Sequence, residues 1–151
     1  MWRCPQCGHR FVTARTWHSC GRFKIADHFA GKPPALRAAF RRYVAAAREN
    51  GPVHVYAQKT RIVLQVCTRF AGAMVRSRWL ECAVVLQRRL DDPRFTRIEH
   101  VPPKDWVHSF RLAVPTDVDD DVRAWLAEAY RYGTQETLVP RRIPRRVVPP
   151  Y

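Results

Sequence analysis

Lysine is scarce in this sequence, with four residues against 23 arginines in a chain of 151. Long apolar runs are missing too: the longest, Tyr43 to Ala47 and Cys82 to Leu86, hold five residues each, where a membrane-spanning helix needs about 20. That excludes a transmembrane helix. The opening Met-Trp-Arg-Cys-Pro lacks the apolar stretch of a secretory signal, which predicts a cytoplasmic chain whose thiols stay reduced. Its five cysteines then read as metal ligands or buried thiols, not disulfides.

Catalytic motifs are equally sparse. No Gly-x-Ser-x-Gly, P-loop or Gly-x-Gly-x-x-Gly occurs. A nucleic-acid deaminase would need His-x-Glu followed by Pro-Cys-x-x-Cys, and neither is present. No Glu-x-Lys completes a nuclease site: Glu81, Glu99, Glu128 and Glu136, for instance, are followed two residues later by Ala83, Val101, Tyr130 and Leu138. The sequence therefore leans away from an enzyme.

What is present is positive charge, +14 in all, in a composition that is 46% hydrophobic and 26% charged and so globular in type. The arginine excess over lysine fits a GC-rich coding bias, which makes position more telling than number. Residues 1–26 hold five cations and no acid; residues 134–151 hold four arginines and Glu136. Charge is densest at the two ends, where it can meet an acidic partner such as DNA or RNA.

Composition divides the chain into residues 1–26, 27–133 and 134–151. In the middle part, Leu36, Phe40, Tyr43, Val44 and Ala47 recur at helical spacing between Pro33-Pro34 and Asn50-Gly51-Pro52. Runs at about 53–58, 61–67, 70–76, 79–87, 95–101 and 106–114 alternate with period two and are rich in β-branched and aromatic residues. Their short connections leave no room for crossover helices, which predicts an antiparallel meander. Beyond Pro115, Thr116 or Asp117 is placed to cap a second helix, with Asp119, Asp120 and Asp121 in its first turn, an apolar stripe from Val118 through Tyr130, and Gly133 at its end. The fold expected is α+β: an antiparallel sheet of five or six strands packed with two helices, preceded by a small metal-binding module and followed by a Pro/Arg-rich tail.

The metal expectation rests on Cys4-Pro5-Gln6-Cys7-Gly8. Two thiolates sit on a tight turn, with glycine after the second to accept a left-handed backbone. Ten residues on, His18 and Cys20 occupy i and i+2 of an extended stretch and face one way. Cys4, Cys7, His18 and Cys20 together make a Cys₃His set suited to one zinc ion, structural because four protein ligands fill the tetrahedron. His18 departs from the commoner spacing, and His9 and His28 are substitutes for it. So short a segment cannot bury a sufficient core, so the metal would supply most of its folding energy.

Elsewhere Cys67 and Cys82 read as buried thiols, and His108, alternating with Trp106 and Phe110, as a core histidine. Arg141, Arg142, Arg145 and Arg146, held extended by prolines, could follow a phosphate backbone, and Arg76 and Arg78 are expected on one strand face.

These residues resemble a bacterial domain-of-unknown-function family, number 5655. The likeness runs through Cys4-Pro-x-Cys7-Gly8, His18-Ser19-Cys20, His28-Phe29, Gly51-Pro52, Lys59, Phe70-Ala71, Ser109-Phe110-x-Leu112, and Asp117-Val118-Asp119 to Trp125-Leu126-x-x-Ala129-Tyr130, about residues 2–133. It implies a zinc knuckle fused to a compact α+β domain, similar in overall pattern to YjbR-like domains, and it brings forward His28 and Lys59 as positions to test; a groove beside them, between sheet and helix, is the alternative ligand site. It implies no activity. The leading expectation is a zinc-containing module binding nucleic acid or a nucleic-acid-associated partner. The alternatives are an enzyme or small-ligand protein at Lys59 and His28, or a protein-interaction adaptor.

Overall fold

The period-two segments become a six-stranded antiparallel sheet in the computed structural model of the chain, which describes residues 1–6, 8, 10–15 and 23–135. The strands are β3 (His54–Ala57), β4 (Ile62–Gln65), β5 (Arg69–Val75), β6 (Leu80–Leu86), β7 (Arg97–Val101) and β8 (Asp105–Leu112). Before them come a two-stranded hairpin, β1 (Trp2–Arg3) and β2 (Arg10–Phe11), a single helical turn α1 (Ile25–His28), and the helix α2 (Pro34–Arg48). After them come a 3₁₀ turn (Pro115–Asp117) and the helix α3 (Asp120–Gly133). The short α1 adds a third helix to the two expected. Among the described residues no helix is long and apolar enough to cross a membrane.

The expected meander holds from β3 to β6 and then breaks, because the spatial order is β3-β4-β5-β6-β8-β7. The connection after β6 carries the chain past one strand position, and β8 returns into the gap through its hairpin with β7. Its length permits the skip. Arg76 and Arg78 also fall outside a strand: they belong to the β5–β6 turn, closed by the Arg76 amide on the Trp79 carbonyl at 2.9 Å.

Alternation then sorts the side chains by face. Leu80, Cys82, Val84 and Leu86 on β6 stand opposite Leu112, Phe110, His108 and Trp106 on β8, and all but Trp106 are buried. The helices cover this face. From α2 come Leu36, Phe40, Tyr43, Val44 and Ala47, and from α3 Val122, Trp125, Leu126, Ala129 and Tyr130, each large apolar side chain contributing about 1.5–3 kcal/mol when fully buried. An irregularity between β4 and β5 pairs Gln65 with Arg69 while Leu64 pairs with Ala71. The extra residue leaves both Phe70 and Ala71 buried in this core.

Proline at the first position opens α2, as the sequence indicated. The α3 cap differs from expectation: Asp119, not Thr116 or Asp117, accepts the Val122 amide at 3.1 Å, while Asp117 accepts the Ala113 amide at 2.7 Å and closes the 3₁₀ turn. Burial works against ionisation of Asp119, but that amide and the Arg94 guanidinium outweigh it and hold its carboxyl below the ordinary value. Asp119→Ala is expected to cost about 1 kcal/mol, read as a lower denaturant midpoint at unchanged slope.

His108 is a core residue. Its Nδ1 donates to the Trp106 carbonyl at 3.0 Å, its Nε2 accepts the Leu90 amide at 3.0 Å, and no surface remains exposed. That pattern requires the neutral ring, and burial lowers its pKa from 6.5, as it does for His54. Because the folded value lies below the unfolded one, this stability is complete above pH ~6.5 and is lost as pH falls through the folded value. Thermal midpoints measured from pH 8 down to pH 5 should fall on the acid side, less steeply in His108→Gln; an equal slope in both proteins would contradict this role.

Candidate functional site

Among the described residues, the other face of the sheet carries no helix. Part of it, over β3 and β4, is covered by the N-terminal hairpin. Phe11 is buried with its ring 6.4 Å from Tyr56, the Gln65 side-chain amide donates to the Arg10 carbonyl, and His54 has a backbone hydrogen bond to Gly8. Tyr56 donates in turn to Gln65 at 2.8 Å and accepts from Arg69 Nε at 3.0 Å. A chain of hydrogen bonds thus runs from the hairpin backbone across β3 and β4 to Arg69.

Within the hairpin, Cys4 follows β1 and is buried, and the Gly8 amide donates to the Cys4 carbonyl at 2.8 Å. Gly8 has φ +78°, the left-handed conformation expected of a glycine after the second cysteine of a knuckle. Cys7, His18 and Cys20, and the substitute His9, lie outside the described residues; among the described residues no three metal-ligating side chains gather. Arg141, Arg142, Arg145 and Arg146 also lie outside them.

His28 and Lys59 do come close. His28 Nε2 donates to the carbonyl of Gln58, the residue before Lys59, at 2.8 Å, tying α1 to the β3–β4 turn. Lys59 is exposed there. A groove of about 640 Å³ runs nearby along α2 and β3, lined by Ile25, Phe40, Val44 and Val55 among others, but neither His28 nor Lys59 lines it.

The uncovered part of the open face forms a concavity of about 360 Å³. One row crosses it from strand to strand: Val63, Gly72, Ala83, Ser109 and Arg97, each paired with the next. The middle three are small, so the floor lies close to the backbone. From the helix side, the Tyr43 hydroxyl supports this floor, donating to the Ala83 and Gly72 carbonyls at 3.2 and 3.4 Å. Burial raises its pKa well above the ordinary value, so it stays a neutral donor.

Four arginines, Arg61, Arg69, Arg76 and Arg97, line the concavity together with Glu81 and Glu99. Their charges are unevenly met. Glu81 faces Arg111 at 3.8 Å and accepts from Trp79 and Thr96, while Glu99 pairs with Arg97 at 3.5 Å. None of the ion pairs among the described residues involves Arg61, Arg69 or Arg76. The β4–β5 side is therefore cationic and the β8–β7 side mixed. Sequence reasoning missed Arg61, Arg69 and Arg97; the available signal was arginine at outward strand positions around a mid-strand glycine, Gly72.

No curated protein and no solved structure matches the chain. A family model does match, over residues 25–133; its span starts after the Cys4–Cys20 segment, so it covers the α+β part alone and not the wider range suggested by the sequence likeness. By that match the chain belongs to the family described as Domain of unknown function (DUF5655).

Proposed function

We propose that the protein is a cytoplasmic, non-enzymatic, zinc-containing module that binds nucleic acid, or a partner carrying it, through phosphate groups. The observation that carries this reading is the set of arginines without acidic partners, Arg61, Arg69 and Arg76, on the sheet face the helices leave open. Arginine suits phosphate because its planar fork donates two parallel hydrogen bonds. The tail arginines Arg141, Arg142, Arg145 and Arg146 would add contacts. Zinc held by Cys4, Cys7, His18 and Cys20 would fix the hairpin that seats on Tyr56 and Gln65. Support for this is the buried Cys4 and the left-handed Gly8 that follows the pair. The likeness to YjbR-like domains concerns pattern only and adds no chemistry.

The small-ligand reading at His28 and Lys59 has less support, because the His28 nitrogen is already engaged by the Gln58 carbonyl. Binding of single-stranded DNA and RNA at several salt concentrations tests the main reading. Affinity should fall as salt rises, and Arg61→Gln with Arg76→Gln should reduce the log–log slope by roughly 1.4, at about 0.7 per phosphate contact on a single strand. Affinity indifferent to salt would overturn it.

A further inference from the structure

We propose that the concavity on the open sheet face is a binding site for a nucleoside phosphate, with the phosphate on Arg61 and Arg76 and the planar base on the Gly72–Ala83–Ser109 floor. The inference rests on the reading that this face binds phosphate, and it adds what the space between the cations is for.

Ile62 pairs with Ala73, so Arg61, just before β4, and Arg76, just after β5, stand at the same end of the trough. They offer a two-armed cationic site at one end. Arg69, at the opposite end of β5, is held by the Tyr56 hydroxyl. Between them lie three small residues on adjacent strands. At a strand spacing of about 4.8 Å they make a thin strip roughly 10 Å long, flanked by Val63, Val85 and Val107. A flat ring can lie on such a strip in contact with both backbone and apolar side chains. At the far rim the Arg97–Glu99 pair presents a donor and an acceptor, and Ser109 supplies a hydroxyl in the floor, the groups that meet the amino, carbonyl and hydroxyl edges of a base or sugar. A volume of about 360 Å³ falls within the range of small-ligand sites, roughly 300–1,000 Å³.

Charge and strand pairing disfavour two other occupants. The arginine-rich tail would meet like charge at Arg61 and Arg76. An acidic peptide gains most by adding to an unpaired strand, whereas the floor strands are paired on both sides.

The full-length protein should be titrated with 5′-mononucleotides, the matching nucleosides, inorganic phosphate and a short single-stranded oligonucleotide. Mononucleotides should bind more tightly than phosphate or nucleoside alone. Arg61→Gln with Arg76→Gln, removing charge-assisted hydrogen bonds, should weaken them by about ten- to a hundredfold. Ala83→Leu, which fills the floor, should weaken them by about tenfold or more, with folding checked by thermal melting. Should that variant not fold, Glu99→Gln on the exposed outer strand serves instead, changing the preference among bases without loss of stability. Competition between mononucleotide and oligonucleotide distinguishes a free nucleotide from a unit of a strand. Oligonucleotide binding that is untouched by Ala83→Leu and by added mononucleotide overturns the site while leaving phosphate binding in place. Mononucleotide binding without oligonucleotide binding overturns the nucleic-acid reading and leaves the site; binding of neither overturns both.

Discussion

Phe110→Ala is expected to remove about 3–5 kcal/mol of folding free energy, a large share of the roughly 5–15 kcal/mol a domain has. Phe110 lies on β8 between β6 and β7 and is fully buried. Its ring meets Tyr43 of α2 at 6.2 Å, Trp125 of α3 at 5.1 Å and Phe95 of the β6–β7 connection at 6.2 Å. One side chain thus joins both helices and the connection that skips a strand. The cavity cannot collapse easily, because each neighbour is itself anchored: Tyr43 by the Ala83 carbonyl, Trp125 by Phe95 at 4.5 Å. Urea unfolding followed by circular dichroism measures the loss, and Phe110→Leu should cost visibly less. A loss below about 1 kcal/mol for Phe110→Ala would show that the core closes around the gap.

Removing the proposed zinc should have a larger but more local effect. In comparable peptides structural zinc contributes on the order of 10 kcal/mol of folding free energy. Elemental analysis of the reduced protein should find one zinc per chain, and Cys4→Ser or a chelator should remove it. The hairpin then loses its main source of order and keeps its seat on the sheet, which includes Phe11 against Tyr56, Arg10 on Gln65 and Gly8 on His54. Those contacts belong to the open face and not to the helix-side core, so the main unfolding transition should persist with a reduced midpoint. Rapid proteolysis near the N-terminus and a changed Trp2 fluorescence are the expected signs. Reduced protein that contains no metal would dispose of the zinc reading.

How far the sequence anticipates the structure depends on which forces act locally. Helix α2 and all six strands lie close to their predicted positions, because periodicity and proline punctuation are local signals. The α3 cap moved two residues beyond Asp117, since four acids within five positions compete and only the backbone path through the 3₁₀ turn selects Asp119. Gly133 does close α3, but for a different reason than a left-handed cap. It is helical, and an added Cβ would lie 2.8 Å from the Phe70 ring; the left-handed position is taken by Gln135 at φ +69°. Strand order was illegible because pairing β6 with β8 is a long-range choice. The open-face site was illegible for a related reason. Arg61, Arg69, Gly72, Ala83 and Ser109 are spread over β5, β6, β8 and the turn before β4 and mean little until register aligns them, whereas the Cys4 turn could be read from five consecutive residues.

The exchanged order of β7 and β8 bears on how copies of this chain meet one another. In a plain meander, β8 with its buried His108, Phe110 and Leu112 would have finished the sheet, presenting free amides and carbonyls beside a strongly apolar strand. Instead the last position goes to β7, five residues long, with Arg97, Glu99 and His100 exposed. Short, charged outer strands discourage further strand addition from another molecule. At this end of the sheet the skipped strand thereby guards against self-association by strand addition, with a short charged edge where a long apolar one would have stood.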